Sequence, residues 1–142
     1  MDSPDLESLT GRRLGEIRLV EPSSWWFEFV GGGAIRADTF WRLVHGGRVH
    51  TTSDDHGQVF GLPQPVDSAG RARDVVSTSL VREVRIAPAT GDLVVDFENG
   101  ARLEILTTSS GYESWSLFLP NGDEVIGLGG GDVDLRHDIT RS

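Results

Sequence analysis

The clearest pattern in the chain is an alternation of apolar and polar positions between Gly91 and Gly131. Leu93, Val95 and Phe97 recur with the two-residue period of a half-buried strand. The next dipeptide is Asn99-Gly100, and Asn-Gly favours the positive φ angles of a two-residue hairpin turn. The pattern predicts three further strands, whose apolar positions are Leu103, Ile105, Trp115, Leu117, Leu119 and Val125 to Leu128. This region is therefore predicted to be an antiparallel meander.

The first half of the chain contains the same order of strands and turns. Trp25 to Phe29 aligns with Leu93 to Phe97, and Trp41 aligns with Trp115. The glycine pairs of the first half fall on the Asn-Gly turns of the second. Two unrelated meanders would also share such a binary pattern, but the coincidence of turns and tryptophans favours an internal repeat. We place the halves at residues 11–62 and 76–136, joined by a connector at 63–75.

These patterns predict an all-β fold for a single domain of residues 1–142. Two pseudo-repeated antiparallel meanders of about four strands each would pack as a sandwich or partly open barrel. Each meander alone would leave an apolar face in water, so Ile17, Phe27, Val84 and Val95 should share one interior. Short helical turns are predicted at Ser3 to Thr10, with Ser3 as the cap, and after Asp67 in the connector.

Composition restricts the classes of function. The net charge is −9, and all 13 basic residues are Arg. An acidic chain without a basic stripe argues against a nucleic-acid partner. No apolar run is long enough to span a membrane, and the absence of cysteine leaves the cytoplasm as the expected location. An acidic surface would attract a basic protein partner.

Few residue groups suggest catalysis. The glycine runs 31–33 and 129–131 lie between strands, so no helix N-terminus is available to bind a phosphate there. His56 with Asp54 and Asp55 is the best candidate, and His45 and His50 on nearby strands could complete a metal site. Aspartates in such a loop more commonly bond local backbone amides. A small metal-dependent hydrolase centred on His56 therefore stays the alternative, and no cofactor or metal is assigned.

Exposed aromatic residues beside acidic ones indicate a protein interface. Trp26 shares the outward face of its strand with Glu28, and Tyr112 precedes Glu113 in a loop. Trp26 could instead be covered by the connector or the N-terminal helix. The predicted partner-binding set is Trp26, Glu28, Asp54, Asp55, His56, Tyr112 and Glu113.

Several short segments together resemble a family of small, largely actinobacterial proteins of unknown function. The segments are Thr51 to Gly57, Phe60 to Pro63, Thr107 to Trp115 and Gly129 to Gly131, and the resemblance extends from Leu9 to Leu135. It implies no catalytic residues. Some relatives are encoded near secreted toxins, which implies a toxin-immunity role.

The sequence as a whole favours a non-enzymatic protein-binding domain. Its most specific form is an immunity-type inhibitor that occludes a basic toxin. The alternatives are the metal-dependent hydrolase and a structural β-domain that forms a homodimer through an exposed sheet edge.

Overall fold

A computed structural model describes residues 3–20 and 22–137 of the chain. The other positions of the predicted 1–142 domain, which are 1, 2, 21 and 138–142, lie outside the described residues. The described part contains eleven β-strands, one α-helix and three short 3-10 helices. The predicted all-β class is therefore confirmed.

The strands have the following bounds. The strands of the first half are β1 (Leu14–Val20), β2 (Ser24–Phe29), β3 (Ala34–Ala37), β4 (Trp41–His45) and β5 (Arg48–Thr52). Those of the second half are β6 (Val81–Ile86), β7 (Leu93–Phe97), β8 (Arg102–Ile105), β9 (Trp115–Phe118), β10 (Glu124–Gly127) and β11 (Val133–Arg136).

The strands form two antiparallel sheets that pack as a sandwich and do not close into a barrel. The six-stranded sheet has the order β1-β2-β3-β9-β10-β11, and the five-stranded sheet has the order β5-β4-β8-β7-β6. Each half of the chain therefore contributes strands to both sheets. The first three strands of a half stay together, and the chain then crosses to the other sheet. The halves are thus interlocked across the two sheets and do not each form one sheet, a feature that a binary pattern does not encode.

The interior confirms the predicted core. Ile17, Phe27, Val84 and Val95 all belong to one cluster of buried side chains. Trp41 and Trp115 begin equivalent strands, β4 and β9, and both are fully buried. The indole nitrogen of Trp115 donates to the carbonyl of Gly91 at 3.0 Å. The matched tryptophans are therefore core residues.

The helices in the structure differ from the predicted helical turns at two boundaries. Helix α1 (Ser68–Val76) begins after Asp67, whose carboxylate accepts from the amide of Gly70 at 3.0 Å. It extends the single predicted turn to nine residues, so the second half begins its first strand at Val81 instead of near Val76. Near the N-terminus, a 3-10 helix covers Leu6–Leu9, and Asp5 precedes it in place of the expected Ser3 cap.

Helix α1 also covers two sheet edges. It packs along β1 and β5, which are edge strands of different sheets. The guanidinium of Arg73 donates to the carbonyl of Ile17 on β1, and the hydroxyl of Ser68 donates to the carbonyl of Thr52 on β5 at 2.8 Å. The connector therefore closes one side of the sandwich.

Candidate functional site

The antiparallel order brings six connections to the same end of the sandwich, which we call the loop end. It consists of residues 22–23, 38–40, 53–57, 87–92, 106–114 and 128–132. These segments contain six carboxylates, namely Asp38, Asp54, Asp55, Asp92, Glu113 and Asp132, and neither Arg nor Lys. The opposite end has Arg12 and Arg13 before β1 and Arg48 at the start of β5, together with the carboxylates Glu98 and Asp123. The described loop-end connections are thus acidic, whereas the opposite end carries both signs of charge.

Three of these carboxylates support the loops themselves. Asp38 accepts from the Ser24 hydroxyl at 2.6 Å, and Asp92 accepts from the Thr107 amide at 2.8 Å. Asp55 accepts from the Thr52 amide at 3.1 Å in a reciprocal capping arrangement. This is the turn chemistry expected for aspartates in such a loop.

The other three carboxylates are available to a partner. Within residues 3–20 and 22–137, the side chains of Asp54, Glu113 and Asp132 form no hydrogen bond or ion pair, and all three are exposed. Because they are solvated and uncommitted, they can meet a cationic surface without first breaking an internal contact.

An open cleft of about 310 Å³ lies at the loop end. Asp54 and His56 line it, and Trp25 and Phe40 supply aromatic surface. Its remaining lining residues are Leu19, Pro22, Ser23, Asp38, Thr39 and Ser53. Two members of the predicted contact set, Asp54 and His56, therefore line a concave surface.

The ring of His56 is held in one orientation. Its Nδ1 accepts a hydrogen bond from the backbone amide of Ser68 at 3.2 Å, and its ring packs against the edge of Trp25 with centroids 5.3 Å apart. In the neutral imidazole the proton therefore resides on Nε2, since Nδ1 is the acceptor. One ring nitrogen is thus committed to anchoring the start of helix α1.

The three histidines of the alternative metal site, His45, His50 and His56, do not lie together in the structure. His45 and His50 are neighbours, with ring centroids 6.5 Å apart, near the hairpin at the opposite end of β4 and β5. His56 lies at the loop end. Among the described residues, no group of three or more His, Asp or Glu side chains is placed to hold a metal ion.

Exposed apolar side chains accompany the acidic ones. Tyr112 is 82% exposed, and the hydroxyl of Ser109 accepts from its amide at 3.0 Å, which fixes the loop backbone. The chain from residue 57 to 66 returns on itself through two hydrogen bonds between backbone groups at its ends. It exposes Val59, Phe60 and Leu62 directly after His56. We did not predict from the sequence that this loop forms an exposed apolar surface. The available signal was its short run of apolar residues, which lacks the period-two alternation of a strand.

Trp26 and Glu28 belong to a different surface. They lie on the outer face of the six-stranded sheet, where Trp26 stacks on Phe118 with centroids 5.8 Å apart. Glu28 accepts from Arg18 at 2.9 Å. Neither the connector nor the N-terminal 3-10 helix is the stacking partner of Trp26. The seven predicted contact residues therefore divide into five at the loop end and two on a sheet face.

A perturbed carboxylate lies far from the loop end, on the outer face of the five-stranded sheet. Asp96 is 4% exposed and accepts from Arg102 at 2.8 Å and Arg85 at 3.1 Å. Burial by itself would raise the pKa of Asp96, but the hydrogen bonds and attraction of the two guanidinium groups together lower it. The pKa of Arg102 is raised, chiefly by its hydrogen bond to Asp96. This arrangement stabilises a sheet and touches no cleft residue.

In the described part of the chain, no helix has the length and apolar character required to cross a membrane.

Comparison with known proteins identifies the family of this chain. No curated protein and no solved structure is significantly similar to the chain. A family model described as a family of unknown function, DUF6188, matches residues 7–137, which include the loop end and both sheets. The chain therefore belongs to the DUF6188 family of unknown function.

Proposed function

We propose that this chain is a non-enzymatic protein-binding domain that binds a basic partner through the loop end. The observation that carries the proposal is the acidic character of the loop end, with six carboxylates and no Arg or Lys in its connections. Such a surface steers a cationic partner toward one orientation and speeds its encounter. The contact residues are Asp54, Asp55, His56, Tyr112 and Glu113.

The exposed apolar groups favour a protein over a small cation as the partner. Tyr112 and Phe60 are large, exposed and carried on hydrogen-bonded loops, so little conformational freedom is lost when they are covered. Aromatic anchors within a charged surround are the usual source of affinity in protein interfaces. The open cleft between Asp54, His56 and Phe40 has room for one long side chain of the partner.

The most specific form of the proposal is an immunity-type inhibitor in a bacterial cell. It rests on the resemblance to relatives encoded near toxins together with the acidic loop end. The mechanism is occlusion, in which the carboxylates pair with cations around the active site of a basic toxin and the aromatic groups exclude substrate. No bond is made or broken by this chain in that mechanism.

The test is affinity purification from the source cells with three versions of the protein. They are the wild type, the loop-end variant Asp54→Asn/Glu113→Gln, and the control variant Asp74→Asn/Glu98→Gln. The control removes two exposed carboxylates outside the loop end, so it changes net charge equally. A partner of the loop end is retained by the wild type and the control, is lost with the loop-end variant, and is basic.

Two outcomes would overturn the proposal. One is equal retention of every bound protein by the two variants, which would assign binding to overall charge. The other is a retained partner that is acidic. The immunity form makes a further demand, because the retained protein must arrest growth when expressed alone and become harmless when this chain is expressed with it.

A further inference from the structure

Within residues 3–20 and 22–137, three of the four sheet edges are covered by other elements, and no strand pairs with the outer side of β11, the fourth edge. Helix α1 packs along β1 and β5, and the 3-10 helix at Leu6–Leu9 packs on β6. The backbone at Gly11 and Arg12 also hydrogen-bonds to Val81 at the start of β6. In the described part of the chain, β11 makes extensive contact only with β10. An open edge is a template for pairing with another strand.

The register of β10 and β11 determines which groups of β11 face outward. Leu128 donates to Asp132 at 2.8 Å, and the pairing continues with Ile126 opposite Asp134. Hydrogen-bonded and non-hydrogen-bonded pairs alternate in an antiparallel ladder. The backbone groups of Asp134 and Arg136 therefore point to β10, and those of Val133 and Leu135 point to the open edge.

We propose that β11 pairs antiparallel with β11 of a second copy of this chain. Because Val133 and Leu135 carry the outward backbone groups, a symmetric pairing centres on Val133, Asp134, Leu135 or Arg136. Centring on Asp134 or on Arg136 would place two like charges directly opposite each other. Centring on Val133 would place Asp132 of each copy opposite Asp134 of the other. Centring on Leu135 places each Asp134 opposite the other copy's Arg136, and it does so twice.

The side chains fit the register centred on Leu135. Asp134 and Arg136 then form non-hydrogen-bonded pairs, in which facing side chains are closest. Their intrachain Nε–Oδ2 distance is 3.5 Å and both side chains are about half exposed, so each is accessible to the other copy. Leu135 is partly buried against the core, and in this register it would lie directly opposite Leu135 of the second copy. The charges on this edge therefore select one register and disfavour the others.

The proposal is independent of the loop-end function, since β11 and its edge bind a copy and leave the cleft open. It is tested by sedimentation equilibrium of the full chain with Asp134→Arg, Arg136→Asp, and an equimolar mixture of the two variants. Each variant alone turns two attractive pairs into repulsive ones, so dimer dissociation should increase about tenfold or more. In the mixture, the two basic side chains of one variant face the two acidic side chains of the other, so a heterodimer should form with the wild-type affinity.

A matched control separates pairing from net charge. Arg82→Glu reverses an exposed charge on β6 and should leave the dimer unchanged. A wild-type protein that sediments as a single chain at high micromolar concentration overturns the proposal. So does a dimer that persists in both single variants, or a mixture of folded variants that fails to recover it. Far-ultraviolet circular dichroism of each variant verifies the fold.

Discussion

Replacement of the buried carboxylate at Asp96 tests the electrostatic reasoning most directly. Its side chain is 6% exposed and lies between the guanidinium groups of Arg85 and Arg102. The substitution Asp96→Asn keeps the shape of the side chain and removes its charge. The substitution weakens two charge-assisted hydrogen bonds but fills the same buried volume. It therefore tests the contribution of the charge without opening a cavity.

The magnitude follows from the exposure of the partners. A hydrogen bond to a charged group contributes about 1.5–3 kcal/mol. The side chains of Arg85 and Arg102 are 39% and 44% exposed, so water recovers part of the loss. We therefore expect Asp96→Asn to lower the free energy of unfolding by about 2 kcal/mol at pH 7.

The pH dependence has a definite sign. The pKa of Asp96 in the folded protein lies below its ordinary value, because the two guanidinium groups outweigh the effect of burial. The stabilisation by the carboxylate is complete above the unfolded-state pKa of about 4 and is lost as the pH falls through the folded-state pKa. The difference between wild type and variant should therefore shrink below about pH 4.

Urea denaturation of both proteins at pH 7 and at intervals down to about pH 3 measures this difference. The control is Glu83→Gln, because Glu83 is 62% exposed and lies 3.6 Å from the same Arg85. It should change the free energy of unfolding by less than about 0.5 kcal/mol. The reasoning is refuted if Asp96→Asn behaves like this control, or if its effect grows as the pH is lowered.

Three other predictions concern packing, capping and metal binding. Gly127→Ala would force a β-carbon into the indole of Trp115, so thermal denaturation should show a large loss of stability. The control is Gly111→Ala, whose β-carbon would meet no atom within 4 Å and which should be tolerated. Asp67→Ala removes the cap of α1 and should cost about 1 kcal/mol in urea denaturation; a loss below about 0.3 kcal/mol would contradict the capping role. Adding Zn²⁺ or a chelator should leave the melting temperature of the protein unchanged. A reproducible increase with Zn²⁺ would favour the hydrolase alternative instead, if the substitution His56→Ala abolishes that increase.

The candidate site was only partly predictable. Asp54, Asp55 and His56 are adjacent in the chain, so any loop structure keeps them together. Their association with Tyr112 and Glu113 depends on the crossing of the chain from β8 to β9, which returns a distant loop to the same end. Trp26 and Glu28 were grouped with them because an exposed aromatic residue lies beside an acidic one on the outward face of a strand, but the fold places that face away from the loop end.

The sequence by itself determined the local elements and the buried faces. Period-two alternation and the Asn-Gly pairs specify strands and hairpins through short-range sterics, and the apolar positions specify which face must leave water. The predicted two-residue turns are wrong in detail, because residues 98–100 and 120–122 form three-residue connections in which only the glycine has a positive φ. The pattern could not determine which strands pair, because every alternating strand presents a similar apolar face. Only the tertiary structure decided that β3 pairs with β9 and β4 with β8. That long-range pairing depends on the joint packing of both halves. Because of it, the six loop-end carboxylates lie at the same end of the sandwich and β11 lies at the edge of a sheet.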